Sequence, residues 1–340
     1  MNIVFRVDSS KKMGSGHLMR CLTLSDEFKK QHHEITFICK SLEGNLIDQI
    51  KHKHYKVIIL KELSSYKSNN IYLDWLGSSQ EYDAQQTINA IPLNIDLLVV
   101  DNYAINQIWH KMLRPYAKKI LVIDDLADRK FDCDFLLNQN LGIKKEDYKN
   151  KVSNDCKLYL GSNFALLRPE FRKLREKALN KRKNTKKIKN ILITMDGFDK
   201  NNQTFRVLKE LNSNFNIVVV LRSSSPHNSM IQSYANNNNI KVIIDSNNMS
   251  KLIFEADLSI GAGGSSSFER CCLGLPSLMF VTSENQTKLA KNLDKFDAVK
   301  IVDNLKENIQ YIVDNVNVWR SMSKNAEKVC DGFGVKRIKI

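Results

Sequence analysis

A glycine-rich loop with a histidine is the first stretch of this sequence that could do chemistry. It is Gly14-Ser15-Gly16-His17, between an apolar strand and a helix that starts near His17. Glycines let the backbone approach a ligand, and the free N–H groups at a helix start favour an anion or a polar substrate. Histidine can accept a proton near neutral pH, so His17 is a candidate general base. The alternative is a polar helix start without chemistry. The full G-x-G-x-x-G pattern of a dinucleotide site is missing.

A second loop combines three glycines with three serines, in the order Gly261-Ala262-Gly263-Gly264-Ser265-Ser266-Ser267. It lies between a buried strand and a short helix, where backbone donors and the helix dipole suit a diphosphate. Glu269, one turn into the helix, could reach a ribose diol. A structural glycine turn is the alternative, and the lack of G-K-[ST] excludes a Walker P-loop. After the next strand, Ser283-Glu284-Asn285-Gln286 could contact the same ligand or only cap a helix.

An acidic cluster raises the question of a metal site: Asp124, Asp125, Asp128, Asp132 and Asp134. No histidine joins it, so the pattern favours a solvated loop with helix-capping acids over a metal centre. The seven cysteines contain no C-x-x-C pair, which argues against a disulfide framework or a thiolate zinc site. We therefore expect no metal, no cofactor and a reducing, cytoplasmic location.

Alternating strands and helices must position these loops. Asp96–Asp101 (DLLVVD) and Ile120–Asp125 (ILVIDD) are unbroken apolar runs that end in acids, which is typical of buried parallel strands. Ser78 with Glu81 three residues on predicts a capping box, followed by a helix to Ala90.

The same pattern restarts at Ile191–Thr194, so the sequence predicts two doubly wound α/β domains. The predicted boundaries are an N-terminal domain over 1–170, a basic linker over 171–187 and a C-terminal domain over 188–340. In such folds ligands bind outside the carboxyl ends of the strands, and a two-domain version has its site in the cleft between the domains.

The formal net charge of +15 raises nucleic acid, an anionic membrane or a phosphorylated small molecule as partners. Much of the excess lies in one polar stretch without interleaved aromatics: Lys177, Lys181, Arg182, Lys183, Lys186, Lys187 and Lys189. A solvated linker explains this stretch better than a nucleic-acid surface. No run reaches the roughly 18 apolar residues of a membrane helix. We expect a monomer that binds a small molecule, without membrane insertion.

Together these segments resemble the UDP-2,4-diacetamido-2,4,6-trideoxy-β-L-altropyranose hydrolase family of pseudaminic acid biosynthesis, which has relatives in spore-coat polysaccharide formation. In the first half the residues concerned are Arg6-Val7-Asp8, Gly14 to His17 with Arg20, Trp75, Asp83-Ala84, Asp101-Asn102-Tyr103, Val122 to Asp125 and Leu167 to Phe171. In the second half they are Gly261 to Pro276 (GAGGSSSFERCCLGLP) and Glu284-Asn285-Gln286.

The resemblance implies a GT-B-like fold with two Rossmann-like domains, an interdomain cleft and a nucleotide held mainly by the second domain. His17 would be the catalytic base and Tyr103 its neighbour in the sugar pocket, and no metal would be needed. The other implied substrate-binding residues are Asp8, Gly14, Gly16, Arg20 and Arg168. The implied nucleotide-binding residues are Gly261, Gly263, Gly264, Ser265, Glu269, Glu284, Asn285 and Gln286.

Two departures from the family pattern bear on which sugar fits. The family often has a small glycine-rich turn after the first strand of its second domain, where this chain has Met195-Asp196-Gly197-Phe198-Asp199 with bulk at two positions. The family also tends to have histidine before the tyrosine that matches Tyr103, where this chain has Asn102.

The resulting hypothesis is hydrolysis of a UDP-activated 2,4-diacetamido-2,4,6-trideoxy hexose to UDP and free sugar. Neutral His17 would take a proton from water, which attacks the anomeric carbon opposite UDP and inverts it. Because UDP is a weak base, no strong general acid is needed, unlike in a glycosidase with two carboxylates. One alternative is a GT-B glycosyltransferase, in which a sugar hydroxyl replaces water. A remote alternative is a basic nucleic-acid-binding module.

Overall fold

Two units, each built on a parallel β-sheet, make up the chain. The computed structural model describes residues 1–63, 66–91, 94–195, 198–211 and 214–340. The first unit consists of Met1–Leu166 with Val335–Ile340, and the second of Leu167–Gly334. In the described ranges, no helix combines the length and the apolar character needed to cross a membrane.

The first unit alternates strands with helices from its first residues. Its strands are β1 (Asn2–Val7), β2 (Glu34–Lys40), β3 (Lys56–Leu60), β4 (Ile95–Asp101), β5 (Ala117–Ile123), β6 (Phe135–Asn138) and β7 (Lys157–Leu160). Its helices are α1 (Gly16–Lys30), α2 (Ile47–His52), α3 (Ile71–Leu76), α4 (Gln80–Ala90) and α5 (Gln107–Leu113). Short 3₁₀ turns occupy Arg114–Tyr116, Lys145–Tyr148 and Ser162–Phe164.

The first sheet has the strand order β3-β2-β1-β4-β5-β6-β7, and these neighbours pair in parallel. Both of its faces are covered, as parallel sheets require. On one face Phe5 and Phe37 pack with Leu18 and Leu22 of α1. On the other face a separate cluster surrounds the fully buried Trp109 of α5.

The second unit repeats this pattern. Its strands are β8 (Asn190–Thr194), β9 (Asn216–Leu221), β10 (Lys241–Ile244), β11 (Leu258–Ala262), β12 (Ser277–Phe280) and β13 (Val299–Ile301). Its helices are α6 (Pro169–Asn184), α7 (Gln203–Glu210), α8 (Asn228–Asn237), α9 (Met249–Glu255), α10 (Ser266–Cys272), α11 (Thr287–Lys295), α12 (Leu305–Asp314) and α13 (Val316–Val329), and a 3₁₀ turn spans Glu284–Gln286. The strand order is β10-β9-β8-β11-β12-β13, again with parallel pairing. The predicted pair of doubly wound parallel sheets is confirmed.

The domain boundaries differ from the sequence expectation in two respects. Where the sequence predicts a basic linker over 171–187, the structure has α6, whose Phe171, Ala178 and Arg182 are buried within the second unit. The chain also returns to the first unit after α13, through the short helix α14 (Gly334–Arg337). Ile338, which follows α14, joins the core that contains α1. The many basic residues of this helix make its sequence look like a solvated linker. The helix can nevertheless pack against the second unit, because the aliphatic stems of long basic side chains can cover apolar surface.

The N-terminal cap predicted at Ser78 lies one residue later in the structure. Ser79 is the cap of α4, since its side chain accepts a hydrogen bond from the Tyr82 amide. Ser78 instead accepts a bond from the buried Lys40 ammonium at 2.7 Å. Only Ser78 has a glutamate three residues on, but Ser78 binds the buried Lys40, and the adjacent Ser79 caps the helix.

Candidate active site

The strand order creates a topological switch point in each sheet. In the first sheet β1 has β2 on one side and β4 on the other. In the second sheet β8 lies in the same way between β9 and β11. Doubly wound folds bind ligands outside the carboxyl ends of strands at such points. The glycine–histidine loop follows β1 and the glycine–serine loop follows β11, so both lie at a switch point.

His17 is held by a carboxylate from the neighbouring strand end. It is the second residue of α1, and its Nδ1 lies 2.6 Å from Oδ1 of Asp101, the last residue of β4. His17 is 7% exposed and Asp101 1%. Because a carboxylate only accepts hydrogen bonds, Asp101 favours the tautomer with the proton on Nδ1. Nε2 is then the basic nitrogen, so the geometry suits proton abstraction at Nε2.

Arg20 fixes the orientation of this carboxylate. It lies one helical turn after His17, and its Nε and Nη2 donate to the two oxygens of Asp101 at 2.6 and 2.7 Å. Such a bidentate pair constrains the carboxylate plane as well as its position. Arg20 Nη1 donates to Asp125 at 2.7 Å, which ties the end of β4 to the loop after β5. His17 is therefore oriented by a rigid chain of charged groups.

Tyr103 closes the network on the other side of the imidazole. Its hydroxyl donates to Asp125 Oδ2 at 2.6 Å. Its ring meets the His17 ring edge-on, with centroids 4.5 Å apart and an interplanar angle of 80°. Tyr72 of α3 packs against Tyr103 at 5.3 Å, and Trp75 packs against Tyr72 at 5.1 Å. An aromatic row thus leads away from His17, of the kind that can pack against a sugar.

Asp101 and Tyr103 each keep one protonation state near neutral pH. Burial acts to raise the pKa of Asp101, but the charge of Arg20 and the hydrogen bonds from Arg20 and His17 hold it well below its ordinary value. Burial, together with the charge of Asp125, raises the pKa of Tyr103 well above its ordinary value. Asp101 is therefore ionised, and Tyr103 remains a hydrogen-bond donor.

Asp8, a predicted substrate ligand, lies in a second buried network. Its carboxylate pairs with Arg6 at 2.7 Å and accepts bonds from the Lys40 amide at 2.7 Å and from Asn102 Nδ2 at 3.4 Å. Arg6 and Lys40 both also bind Asp83, at 2.6 and 2.9 Å. These contacts hold the end of β1 in place. Contact of Asp8 with substrate stays a prediction.

The two glycines of the first loop occupy different structural positions. Gly14 has a φ of +77°, in the left-handed region, and its amide donates to the Ser10 carbonyl at 2.8 Å. An added Cβ at Gly14 would meet no atom within 4 Å, so conformation rather than space calls for glycine there. Gly16 is the first residue of α1. Their contact with substrate also stays a prediction.

In the second unit, the close pairing of β11 with β8 calls for glycine at position 261. Gly261 lies opposite Thr194 in the sheet, and an added Cβ would collide with the Thr194 carbonyl oxygen. At Gly263 a Cβ would lie 3.1 Å from the sulfur of Met279, and at Gly264 the nearest atom is Gln286 Nε2 at 4.0 Å. The turn is therefore tightly packed at its start and open towards Gln286.

Ser265 is the residue before α10, and it is exposed. The 3₁₀ turn that follows β12 lies next to this loop, because β11 and β12 are neighbours in the sheet. There Gln286 accepts bonds from the amide and the hydroxyl of Thr282 at 3.2 and 3.0 Å. Asn285 accepts a bond from Ser283 at 2.6 Å, and Glu284 is exposed. The structure thus brings together the two segments predicted to hold a nucleotide.

Glu269 and Arg168 face each other within the second unit. Arg168 Nη2 lies 3.4 Å from Glu269 Oε1, and Arg168 Nε lies 3.2 Å from Glu170. The side chain of Glu269 is 19% exposed, and burial raises its pKa despite the opposing charge of Arg168. The sequence predicts Arg168 in the N-terminal domain, whereas it belongs to the unit that carries Glu269.

Each of the aspartates that suggest a metal site in sequence forms an ion pair with an arginine. Asp132 and Asp134 both bind Arg114, at 2.7 and 2.6 Å, and Asp128 binds Arg129 at 2.8 Å. Asp124 accepts the Tyr148 hydroxyl at 2.6 Å, with its other oxygen 3.0 Å from Arg129. Across the described ranges, three or more His, Cys, Asp or Glu side chains nowhere gather as a metal site requires. Independence from metal stays a prediction.

Two residues of the network are not evident as site residues from sequence. Asp101 and Asp125 belong to acid-ended apolar runs, but the sequence does not show which strand ends are neighbours. Of the divergent stretch Met195–Asp199, residues 196 and 197 lie outside the described residues. Asp199 caps α7 by accepting bonds from the Gln203 and Thr204 amides at 2.7 and 2.9 Å.

Comparison with known proteins shows to which family this chain belongs. The chain is 33% identical over 260 residues to the UDP-2,4-diacetamido-2,4,6-trideoxy-β-L-altropyranose hydrolase of Campylobacter jejuni, covering 76% of this chain and 83% of that protein. This chain belongs to that hydrolase family. A spore coat polysaccharide biosynthesis protein of Bacillus subtilis is 25% identical over 355 residues, covering 99% of this chain and 96% of the relative. Residues 171–336 match the glycosyltransferase family 28 C-terminal domain.

The fold of this hydrolase family member is that of the GT-B glycosyltransferases. MurG of Acinetobacter baumannii superposes with a TM-score of 0.64 at 14% identity, over 98% of this chain and 97% of that one. At this identity the likeness concerns the fold alone, and it confirms the predicted fold class.

Proposed function

We propose that this protein hydrolyses a UDP-activated 2,4-diacetamido-2,4,6-trideoxy hexose to UDP and the free sugar with inversion at the anomeric carbon. Membership of the hydrolase family supports the substrate class. The reaction would serve nonulosonic (pseudaminic) acid or surface polysaccharide synthesis in the cytoplasm. A reducing compartment accords with seven free cysteines, all of them buried.

The observation that carries the proposal is the 2.6 Å contact between His17 Nδ1 and Asp101. With Nδ1 protonated and held, Nε2 can take a proton from water as that water attacks the anomeric carbon. The imidazolium that forms is stabilised by the ionised Asp101. A positioned base of this kind is typically worth about 10²–10⁴-fold in rate.

The glycine–serine turn of the second unit would hold the diphosphate that leaves. Backbone N–H groups and serine hydroxyls there can donate to phosphate oxygens, and electrostatic stabilisation of this kind often contributes more to catalysis than any other effect. Because UDP departs as a weak base, the proposed mechanism assigns no general acid. Water and the leaving UDP must lie on opposite sides of the anomeric carbon, which is the reason for expecting inversion.

A glycosyltransferase is the second candidate, and the match of residues 171–336 to a glycosyltransferase domain favours it. The same base would then activate a sugar hydroxyl. The deciding measurement is release of UDP from UDP-2,4-diacetamido-2,4,6-trideoxy-β-L-altropyranose in the presence and absence of candidate acceptor sugars. Hydrolysis predicts UDP release without acceptor, and strict dependence on an acceptor would establish transfer instead.

The role of His17 is tested in the same assay with His17→Ala and His17→Asn. Asparagine can still donate a hydrogen bond towards Asp101 but cannot act as a base. Both variants should lose about 10²–10⁴-fold in kcat, while retaining affinity for UDP. Proton NMR of the first-formed sugar should show the inverted anomer. A His17→Asn variant with wild-type kcat, or a product with retained configuration, contradicts the mechanism.

A further inference from the structure

Arg270 is a buried cation behind the glycine–serine turn, residues 261–267. It is 1% exposed, and its Nη2 donates to the Ala262 carbonyl at 2.8 Å and to Ser267 Oγ at 3.1 Å. Its Nη1 donates to Ser266 Oγ at 3.3 Å. In the described part of the chain its Nε has no hydrogen-bond partner, and the carboxylate of the adjacent Glu269 pairs with Arg168. Such a charge is costly to bury unless an anion completes its surroundings.

The position of Arg270 makes its buried positive charge still more costly. Ser266 and Ser267 are the first two residues of α10, so the guanidinium lies at the helix end that already carries partial positive charge. Arg182 shows the opposite arrangement in the same unit. It is 2% exposed, but it donates to the carbonyls of Ile253 and Ala256 at the negative end of α9. Among the described residues both arginines leave Nε without a hydrogen-bond partner. Arg182 donates to two carbonyls at the negative end of a helix, whereas Arg270 donates to one carbonyl and two serine hydroxyls at the positive end of another.

Arg270 also orients the serine hydroxyls. A guanidinium can only donate, so Ser266 and Ser267 must accept from it through their oxygens. Their hydroxyl protons are then left to point at another acceptor. Ser266 is partly exposed, so its hydroxyl is accessible to a ligand, whereas the fully buried Ser267 supports the turn from within. The arrangement is a set of donors suited to an anionic acceptor, behind a turn that already suits a phosphate.

We infer that Arg270 is a positioning residue for the diphosphate of the nucleotide substrate, with a buried charge that the diphosphate balances and a hydroxyl, that of Ser266, that it turns towards a phosphate oxygen. The inference rests on the proposed function, since it deepens the role of the same turn. It separates recognition of the diphosphate from recognition of the nucleoside. Arg270 should therefore affect UDP binding far more than uridine binding.

The test compares Kd values for UDP and uridine in the full-length wild type and in Arg270→Gln, Arg270→Lys and Arg182→Gln, by isothermal titration calorimetry. Arg270→Gln should weaken UDP by roughly 10- to 100-fold, the worth of one charge-assisted interaction, and leave uridine nearly unchanged. Arg270→Lys keeps the charge and should recover part of the loss. Arg182→Gln is the matched control: it removes a buried arginine of the same unit and should leave the UDP-to-uridine affinity ratio unchanged.

Equal weakening of UDP and uridine in Arg270→Gln, or an equal change of the ratio in Arg182→Gln, would overturn the inference, because both point to a loosened unit. A thermal-shift measurement with inorganic pyrophosphate tests the role of Arg270 independently of the proposed function. If the wild type fails to bind UDP, the proposed function fails. Pyrophosphate should nevertheless raise the Tm of the wild type more than that of Arg270→Gln, and equal shifts would refute the role of Arg270 by themselves.

Discussion

Replacement of Asp101 by asparagine tests the pairing on which the proposed base depends. Asp101 accepts bonds from Arg20 Nε, Arg20 Nη2 and His17 Nδ1 at 2.6, 2.7 and 2.6 Å. Asparagine offers one oxygen and one NH₂ group, so either orientation sets an N–H group against a donor of Arg20. When the NH₂ group faces His17, Nδ1 must give up its proton, and the proton moves to Nε2. In that state the base is lost.

Both rate and stability should respond. Loss of a positioned base costs about 10²–10⁴-fold in kcat, which corresponds to about 3–5 kcal/mol in the barrier. Removing one partner of a buried ion pair costs about 3–5 kcal/mol of stability. Arg20 keeps its bond to Asp125 at 2.7 Å, so we expect a value near the lower end. The assay must therefore distinguish a slow folded enzyme from an unfolded one.

Asp124→Asn provides the matched control. Asp124 is fully buried, pairs with Arg129 at 3.0 Å and accepts the Tyr148 hydroxyl at 2.6 Å, so its partners differ from those of Asp101. Initial rates of UDP release would be measured at saturating substrate, at a temperature where circular dichroism shows every variant folded, with urea denaturation for stability. Asp124→Asn should lose stability and keep kcat within about threefold.

A folded Asp101→Asn enzyme with kcat close to wild type would show that Asp101 does not set the state of His17. Equal losses of kcat in both variants would instead attribute the effect to a loosened first unit. Only a loss confined to Asp101→Asn supports the assigned tautomer.

Two further predictions concern stability. Gly261→Ala should cost about 1–3 kcal/mol, because its Cβ would meet the Thr194 carbonyl. At Gly263 the tight contact of an added Cβ is with the movable Met279 side chain, so Gly263→Ala should cost less in the same denaturation experiment. The reverse order would contradict this. Burial lowers the pKa of His110 to about 3, so as pH falls the unfolded form takes up the proton first. Unfolding free energy should therefore fall below pH 6.5 by about 1.4 kcal/mol per unit from this group, and His110→Phe should remove that part of the slope.

The fold is largely predictable from sequence because its signals are local. Long apolar runs and glycine turns identify most strands of both sheets. Sequence patterns do not reveal β6, β7 and β13, which have only four, four and three residues. The choice between Ser78 and Ser79 as a cap fails for a related reason. The bond from Lys40 that occupies Ser78 joins residues 38 positions apart, and no local pattern reveals it.

The site is predictable only in part, for the same physical reason. The base and its helix follow from one loop, and Arg20 lies one turn further along. The partner Asp101 is 84 residues away in sequence, and it meets His17 only because β4 pairs with β1. Arg270 is also inconspicuous, because an arginine in a short helix is ordinary in sequence. Its significance comes from its burial beside two serine hydroxyls, which only the fold reveals.

The two sheets share one strand order but differ in the charge at their strand ends. In the first unit β4 ends in Asp101, and Asp8 and Asp124 directly follow β1 and β5. Carboxylates there hold histidine and arginine, and they would repel a diphosphate. In the second unit β8, β11 and β12 end in the uncharged residues Thr194, Ala262 and Phe280, and the Ala262 carbonyl accepts a bond from the buried Arg270. In the proposed mechanism, one topology therefore provides proton transfer in the first unit and anion binding in the second.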